Sequence, residues 1–443
     1  MCIRDSANST RVMLLRVFDA SPLPPGIKLD PNSLDTMASA FKPFPLHKRG
    51  TGRMKVIKSA MKKKTAAYLS VPYVRHGTPT VKSRGDRVDW AISLKKIYQM
   101  SGSDVIRRAI ADGILENKEG CLCPKCCIGE LGPLQLFDGR GLRYRCRAKK
   151  CQKLTLPQDN HPLFTVGSGS GYTPFEDQCA VLFCGLAGCS NVATKRITGM
   201  NHKMIEAQRV SFDREVALYV EREQNRIIFG DGLNWKDVEA DEAVFGKVVN
   251  HEETQDKQVQ WHQWAGIVQR GDPSTLVLRP TGATKTCIRA PGPGAIKKID
   301  WKPFGEKYLK NRKVILHTDR AKAYALKIDG VIHDSVRHSR KRVKRGGKWV
   351  WVKPYFAKLV SHRTPDGCTI KCKSGTQIID RLWQHVRKHT KGVNSTHHRR
   401  LEIAIRRAQW CYWKKDCDLW LACGAMLKAC LLYTSDAADD MAS

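Results

Sequence analysis

From residue 239 to residue 386 the chain alternates apolar runs of strand length with helical periodicity, and three aspartates stand at the edges of those runs. Asp241 lies within the strand-like segment 239–245. Asp319 closes the run that begins at Val314, and Asp380 opens a segment in which Ile379, Trp383 and Val386 recur at helical spacing;. Further strand-like runs fall at 261–268 and 274–278, with a helical stretch near 304–310 ahead of a fourth strand at 313–318;. Three strands, a connection and a fourth strand ending at an acid constrain this part of the chain to an α/β fold. A lone acid beside a strand is usually a surface residue, so the case rests on all three in this order. Carboxylates delivered from strand ends and a helix start can converge and hold two divalent cations, an arrangement suited to phosphodiester chemistry.

The charge points to the substrate of such chemistry. Lys and Arg number 77 against 42 Asp and Glu, a formal net charge of +35. The excess recurs along the whole chain, which fits a polyanion, foremost a nucleic acid, better than one basic tail would; a ribosome-associated or merely basic protein is the plain alternative. No apolar stretch reaches the roughly 18 residues of a membrane helix, so no membrane partner is expected. Residues 7–90 are rich in Pro, Lys and Arg without sustained period, and 48–64 is a basic run. They read as a disordered arm that touches DNA, or as a solvated tail.

The 17 cysteines fall in unequal groups and no signal peptide precedes them, which favours thiols and metal in a reducing compartment;. That compartment would be the nucleus in a eukaryote and the cytoplasm or nucleoid otherwise. In Cys121-Leu-Cys-Pro-Lys-Cys-Cys127, Cys123 and Cys126 have the two-residue spacing of a zinc knuckle, and Cys146 with Cys151 supplies a second pair;. Four thiolates close a tetrahedral structural Zn²⁺ site. The second pair has four intervening residues where two is commoner, and Cys121 and Cys127 compete as ligands; reduced buried cysteine is the plain alternative.

Ahead of the cysteines, apolar positions over 92–114 suit two short helices broken at Ser101-Gly102-Ser103;. After them, 167–171 reads as a flexible glycine-serine hinge. Helical patterns then cover 175–186, 192–197 and 201–222, with Thr198-Gly199-Met200 as the turn before the third. This suits a helix-turn-helix whose recognition helix presents Asn201, His202 and Lys203 to a major groove; a helical spacer is the bland alternative. The segment 337–345, including Arg340, Lys341 and Arg342, reads as a DNA-contacting loop, a nuclear-import signal, or the solvated tip of a hairpin between strands 349–352 and 355–360;.

The two ends read as foreign. Residues 1–6 and 430–435 can be encoded by one short DNA in opposite orientations, similar to the end of a transposon-based sequencing adapter, and 436–440 continue it. We therefore expect 1–6 and 430–443 to be assembly scars, with Met37 a candidate start. The remaining plan is a basic arm (7–90), short helices and zinc ribbon (91–166), helix-turn-helix (172–230) and catalytic domain (234–415).

From about Asp104 to Tyr412 this chain resembles the DDE transposases of insertion-sequence type that carry an N-terminal zinc ribbon and helix-turn-helix (ISXO-like transposases). The resemblance rests on Asp241-Glu242 followed by Gly246-Lys247, on Asp319-Arg-Ala-Lys-Ala-Tyr324, and on Thr376-Gln-Ile-Ile-Asp-Arg-Leu-Trp383 followed by Arg387 and Lys388. It implies an RNase H-like catalytic domain in which Asp241, Asp319 and Asp380 hold two Mg²⁺ or Mn²⁺ ions. It also implies DNA cleavage and joining at the terminal repeats of an element, insertion into target DNA, and a multimer acting on two ends. The third acid is Asp380 where the family has Glu, one methylene longer, so its helix must approach the metals more closely. Glu242 and His317 adjoin the site as candidate supporting residues or plain structural ones.

Two further readings come from other classes. A DNA-binding protein descended from such an enzyme would be marked by loss of an acid, and all three are present. Another RNase H-like nuclease, such as a structure-selective resolvase, would leave the cysteine cluster and helix-turn-helix unexplained.

Overall fold

A computed structural model describes residues 68–77, 88–139, 141–166, 172–250, 258–393 and 397–440. The expected scar at 1–6, the hinge at 167–171 and most of the arm expected over 7–90 lie outside those residues.

Helices α1 (Leu94–Gln99) and α2 (Gly102–Ala111) begin at Ser93 and Ser101, whose hydroxyls accept from backbone N–H groups inside the first turn;. The second cap falls at the expected break. A small antiparallel sheet follows, with strands β1 (Gln135–Phe137), β2 (Gly141–Arg145) and β3 (Leu154–Thr155) in that spatial order. Helices α3 (Phe175–Leu186), α4 (Asn191–Thr198) and α5 (His202–Gln224) match the three expected, and Gly199 closes α4 at φ +71°, a conformation in which a side chain would be strained;.

The main sheet is built from β4 (Lys236–Asn250), β5 (Gln258–Gln269), β6 (Asp272–Pro280), β7 (Thr284–Cys287), β8 (Val314–Thr318) and β9 (Val331–Ser335). Its order is β6-β5-β4-β8-β9, with β7 also paired to β5. The first three strands form an antiparallel meander, whereas β8 and β9 run parallel to β4. Helix α6 (Lys298–Leu309) makes the crossover into β8;. Two hairpins come next, β10 (Lys341–Arg345) with β11 (Lys348–Val352) and β12 (Ala357–Arg363) with β13 (Thr369–Gly375). Helices α7 (Gln377–Thr390), α8 (His398–Trp413) and α9 (Leu419–Asp440) complete the described residues.

A hairpin between 349–352 and 355–360, one of the alternatives for this segment, does not form. Strand β11 turns back on the basic run itself, across Gly346 and Gly347 at φ +54° and +78°, as a two-residue hairpin loop requires;. Pro354, with no N–H and a fixed φ, separates β11 from the next pair;.

The two faces of the sheet bury separate cores. On one, Trp301, Phe304 and Tyr308 of α6 pack with Val238, Ala240, Ile267 and Leu316. On the other, Trp264 and Leu278 meet Ile379, Leu382 and Trp383 of α7 and Trp410 of α8. That second core is continuous with Phe212, Val216 and Val220 of α5. The helical region therefore shares its hydrophobic core with the main sheet. No helix among the described residues is long and apolar enough to cross a membrane.

Candidate active site

Strand β4 carries Asp237, Glu239 and Asp241 at alternate positions, so all three project from one face;. Their fates differ along the strand. Asp237 accepts from Arg75 Nε at 2.7 Å and Nη2 at 3.0 Å and lies 2.9 Å from His317 Nε2. The other ring nitrogen of His317 lies 2.9 Å from Asp334, which also bonds His362 at 2.7 Å and the Ser374 hydroxyl. His317 thus ties β4, β8 and β9 together and does not touch the candidate acids. Hydrogen bonds from His317 and Arg75 overcome burial and hold the Asp237 carboxyl down at about 2;.

Glu239 is fully buried and neutralised. Arg270 donates to Oε1 at 2.7 Å and the Tyr73 hydroxyl donates to the same oxygen at 2.6 Å. Its Oε2 accepts from the backbone N–H groups of Ile378 and Ile379, at 2.8 and 3.0 Å. These are two of the otherwise unpaired donors at the start of α7, so the carboxylate both caps the helix and complements its dipole. Arg270 reaches further, to the carbonyls of Lys373 and Gly375 at 2.6 and 2.8 Å. One buried ion pair thereby fixes the entry of the helix that carries Asp380. Part of the segment expected to belong to a free basic arm is also built in, since Tyr73 and Arg75 both bond acids of β4.

Asp241 has no such cation. None of the described ion pairs involves Asp241, Asp319 or Asp380. The Trp383 indole donates to Asp241 at 3.0 Å. Burial first, then the carboxylates of Glu242, Asp380 and Asp319, push the Asp241 carboxyl well above its ordinary range;. Register brings Asp319 alongside. Glu239 on β4 pairs with His317 on β8, so two residues on in each parallel strand stand Asp241 and Asp319. Asp319 leaves the strand there and accepts from the Ala321 N–H at 2.8 Å. Asp380 lies in the first turn of α7 and accepts from Thr376 at 3.2 Å. Burial raises its carboxyl above the usual range, and neighbouring His338 opposes the rise. Trp383 stands three residues further along the same helix, so the α7 surface bearing Asp380 is turned towards Asp241. The ligand oxygens of the three acids do not all lie within 4.8 Å of one another, in contrast to the cysteine cluster.

Glu242 points to the opposite face of β4, where it accepts from the Tyr324 hydroxyl and from Ile296 N at 3.1 Å. Glu402 on α8 sits 3.7 Å from Arg406. Sequence reasoning passed over Glu239, Arg270, Tyr73, Trp383 as a donor, His338 and Gly266. Gly266 faces Asp241 across the β4–β5 pair, and a Cβ there would meet the Trp383 ring at 2.8 Å. The one available signal was a glycine within an apolar strand, which marks close approach.

Cys123, Cys126, Cys146 and Cys151 gather their sulfurs within 4.8 Å, and this cluster can hold a metal such as zinc. The Cys126–Cys146 and Cys123–Cys151 separations are 3.7 and 4.0 Å, against the ~3.8 Å edge of a tetrahedron with Zn–S bonds of about 2.3 Å. Cys121 and Cys127 are exposed and outside the cluster. Backbone N–H groups of Gly129 and Ile128 lower the Cys126 thiol to about 6, whereas burial raises that of Cys146 to about 12, so without a metal the first thiolate forms at Cys126;. Gly129 must lack a side chain, because a Cβ would lie 2.7 Å from Cys146 Sγ.

Of the candidate DNA contacts, His202, Lys203, Arg340, Arg342, Arg387 and Lys388 are exposed. The Asn201 side chain caps α5 by accepting from Lys203 N at 2.9 Å, which commits its oxygen to the helix. Lys341 opens β10. Arg387 and Lys388 occupy the last turn of α7, where cations complement the helix dipole;.

Comparison with protein-family models, with curated proteins and with solved structures finds no match.

Proposed function

We propose that the chain is a DNA transposase of the DDE type, cutting and joining phosphodiester bonds at element ends. The observation that carries this reading is that Asp319 and Asp380 neighbour Asp241, with no ion pair to any of the three among the described residues. Asp241 on β4 and Asp319 just past the end of β8 each lie two residues beyond the last paired position of these parallel strands, and Asp380 comes from the helix that Glu239 caps. The sheet order β6-β5-β4-β8-β9, an antiparallel meander followed by two strands parallel to the first, supports an RNase H-like assignment for this domain.

Asp241, Asp319 and Asp380 are the residues that would hold Mg²⁺ or Mn²⁺. Asp319 and Asp380 both lie close enough to act electrostatically on Asp241, and the three would close further on binding the ions;. Burial first, and then the neighbouring acids, raise the Asp241 carboxyl, and a pair of dications would offset both by neutralising the cluster;. The chemistry such a pair supplies is activation of an attacking oxygen and stabilisation of the leaving one. Trp383 holds the Asp241 carboxylate in place, and the Glu239–Arg270 pair holds α7. The cysteine cluster, occupied by zinc, would fold the ribbon, and α4–α5 would bring His202 and Lys203 to the DNA of the terminal repeats. Exposed Lys and Arg add salt-sensitive affinity for that DNA and for the target.

The test is strand cleavage on a plasmid bearing the DNA that flanks the gene, with Mg²⁺ or Mn²⁺ added. Wild type should cut at the repeat ends, while Asp380→Asn should abolish cutting and leave DNA binding intact or slightly tighter. Normal cutting by Asp380→Asn would overturn the triad and bring Glu402 forward. Binding without cutting by the wild type would favour a DNA-binding descendant instead.

A further inference from the structure

The β10–β11 hairpin presents a face that the cutting chemistry does not use. Strand pairing sets Arg342 opposite Trp351 and Lys344 opposite Trp349, so these four side chains share one face;. The two indoles are 58% and 63% exposed, and the Arg342 guanidinium lies 5.5 Å from the centre of the Trp349 ring. Between Asp334 and Asp366 the chain has ten Lys and Arg and no acid. A second copy of such a surface would be repelled, whereas a polyanion would be drawn to it.

The indoles narrow the choice of polyanion. Duplex DNA keeps its bases stacked on one another and offers mainly phosphates, but an unpaired strand offers base faces to aromatic side chains. The hairpin also springs from the edge of the acid cluster. Arg320, next to Asp319, donates to the Tyr355 hydroxyl at 3.4 Å, and Tyr355 bridges Arg337 at the hairpin base. His338 Nε2 lies 3.3 Å from the Thr376 hydroxyl that bonds Asp380.

We propose that Arg342, Lys344, Trp349 and Trp351 form a binding face for an unpaired stretch of DNA strand, with bases stacked on the indoles and phosphates paired with the two cations. The proposal rests on the DNA-cutting reading, because opening or cutting a duplex end beside the acids supplies such a strand. A neutral partner would leave the two cations unused, and a duplex would leave the indoles unused.

The test uses the full chain without divalent metal, so it is independent of cutting. Fluorescence anisotropy would follow binding of labelled oligothymidylate of about 12–16 nucleotides and of a duplex of the same length. Trp349→Ala with Trp351→Ala should weaken single-strand binding by about tenfold or more and leave duplex binding within about twofold, while the paired Phe replacements should retain most of the affinity. Both sites are exposed, and an unchanged thermal midpoint would exclude misfolding. Unchanged single-strand affinity in the double Ala variant would overturn the proposal, as would equal loss on duplex. Tighter wild-type binding to phosphatidylserine vesicles than to the oligonucleotide would assign the face to an anionic membrane and likewise overturn it. If the wild type binds as expected but never cuts plasmid, the hairpin assignment stands and the transposase reading falls.

Discussion

The two ends of one face of strand β4 treat their acids in opposite ways. At the closed end, Asp237 is paired with Arg75 and His317, and Glu239 with Arg270, Tyr73 and two helix amides. At the open end Asp241 has an indole N–H and three acidic neighbours. Residues only two apart, on the same face, thus end on different sides of the charge balance. Paired acids hold the fold, and the unpaired one is left without a counter-charge. The difference lies in what packs over each acid, since the strand is common to both.

The most damaging break should come at the closed end. Arg270→Met leaves Glu239 buried without its cation, and the folded state should lose about 3–5 kcal/mol in denaturant titration. Adding Glu239→Gln should restore part of that loss, because no buried charge is then left alone. A small effect of Arg270→Met would mean that Tyr73 and the α7 amides alone neutralise Glu239.

Acid should reach the closed end through Asp237. Its carboxyl is held at about 2, below the unfolded value of about 3.9, so its contribution is present above the unfolded value and is lost as pH falls towards the folded one. The expected loss is about 2–3 kcal/mol between roughly pH 5 and pH 1. Asp237→Asn should flatten that part of the stability profile, and an unchanged slope would assign it to other groups.

Gly266→Ala sharpens the comparison at its open end. A Cβ 2.8 Å from the Trp383 ring must displace the indole or the strand, at a cost of about 1–3 kcal/mol. Cutting should fall with it, since the Asp241 carboxylate loses its donor. Full activity would show that the indole contact does not matter.

The smallest expected effect has the opposite sign. A carboxyl raised in the folded state adds stability only below its unfolded value and loses that advantage as pH rises through the folded one. Asp241→Asn should therefore raise the thermal midpoint near pH 7, on the order of 2–4 °C, and lose that gain near pH 3.5. Added Mg²⁺ should raise the midpoint of wild type more than that of Asp241→Asn. A destabilised Asp241→Asn would mean that the ionised carboxylate is already satisfied.

Much of this architecture was legible locally. The periodicity around Val314–Thr318 and Phe175–Leu186 marked elements whose observed limits agree closely, because burial of one face imposes its period on neighbouring residues;. Knuckle spacing singled out Cys123 and Cys126, and the gathered sulfurs include the uncommon Cys146–Cys151 pair. The hairpin pairing at 341–352 was misjudged because basic residues hid a strand whose only clear mark was Gly346-Gly347. Asp241, Asp319 and Asp380 could be singled out by their settings, but Glu239 drew no notice two residues from the first of them.

By itself the sequence determined the acids, the cysteine spacing, the excess charge and the order of helices and strands, all of which depend on residue type and short-range repetition. Tertiary structure alone decided which acid of β4 stays unpaired. Arg75 lies 162 residues from Asp237, Arg270 lies 31 from Glu239 and Trp383 lies 142 from Asp241. No local period links such partners. They meet only when the sheet forms and α7 docks upon it, and burial then makes the presence or absence of a counter-charge count.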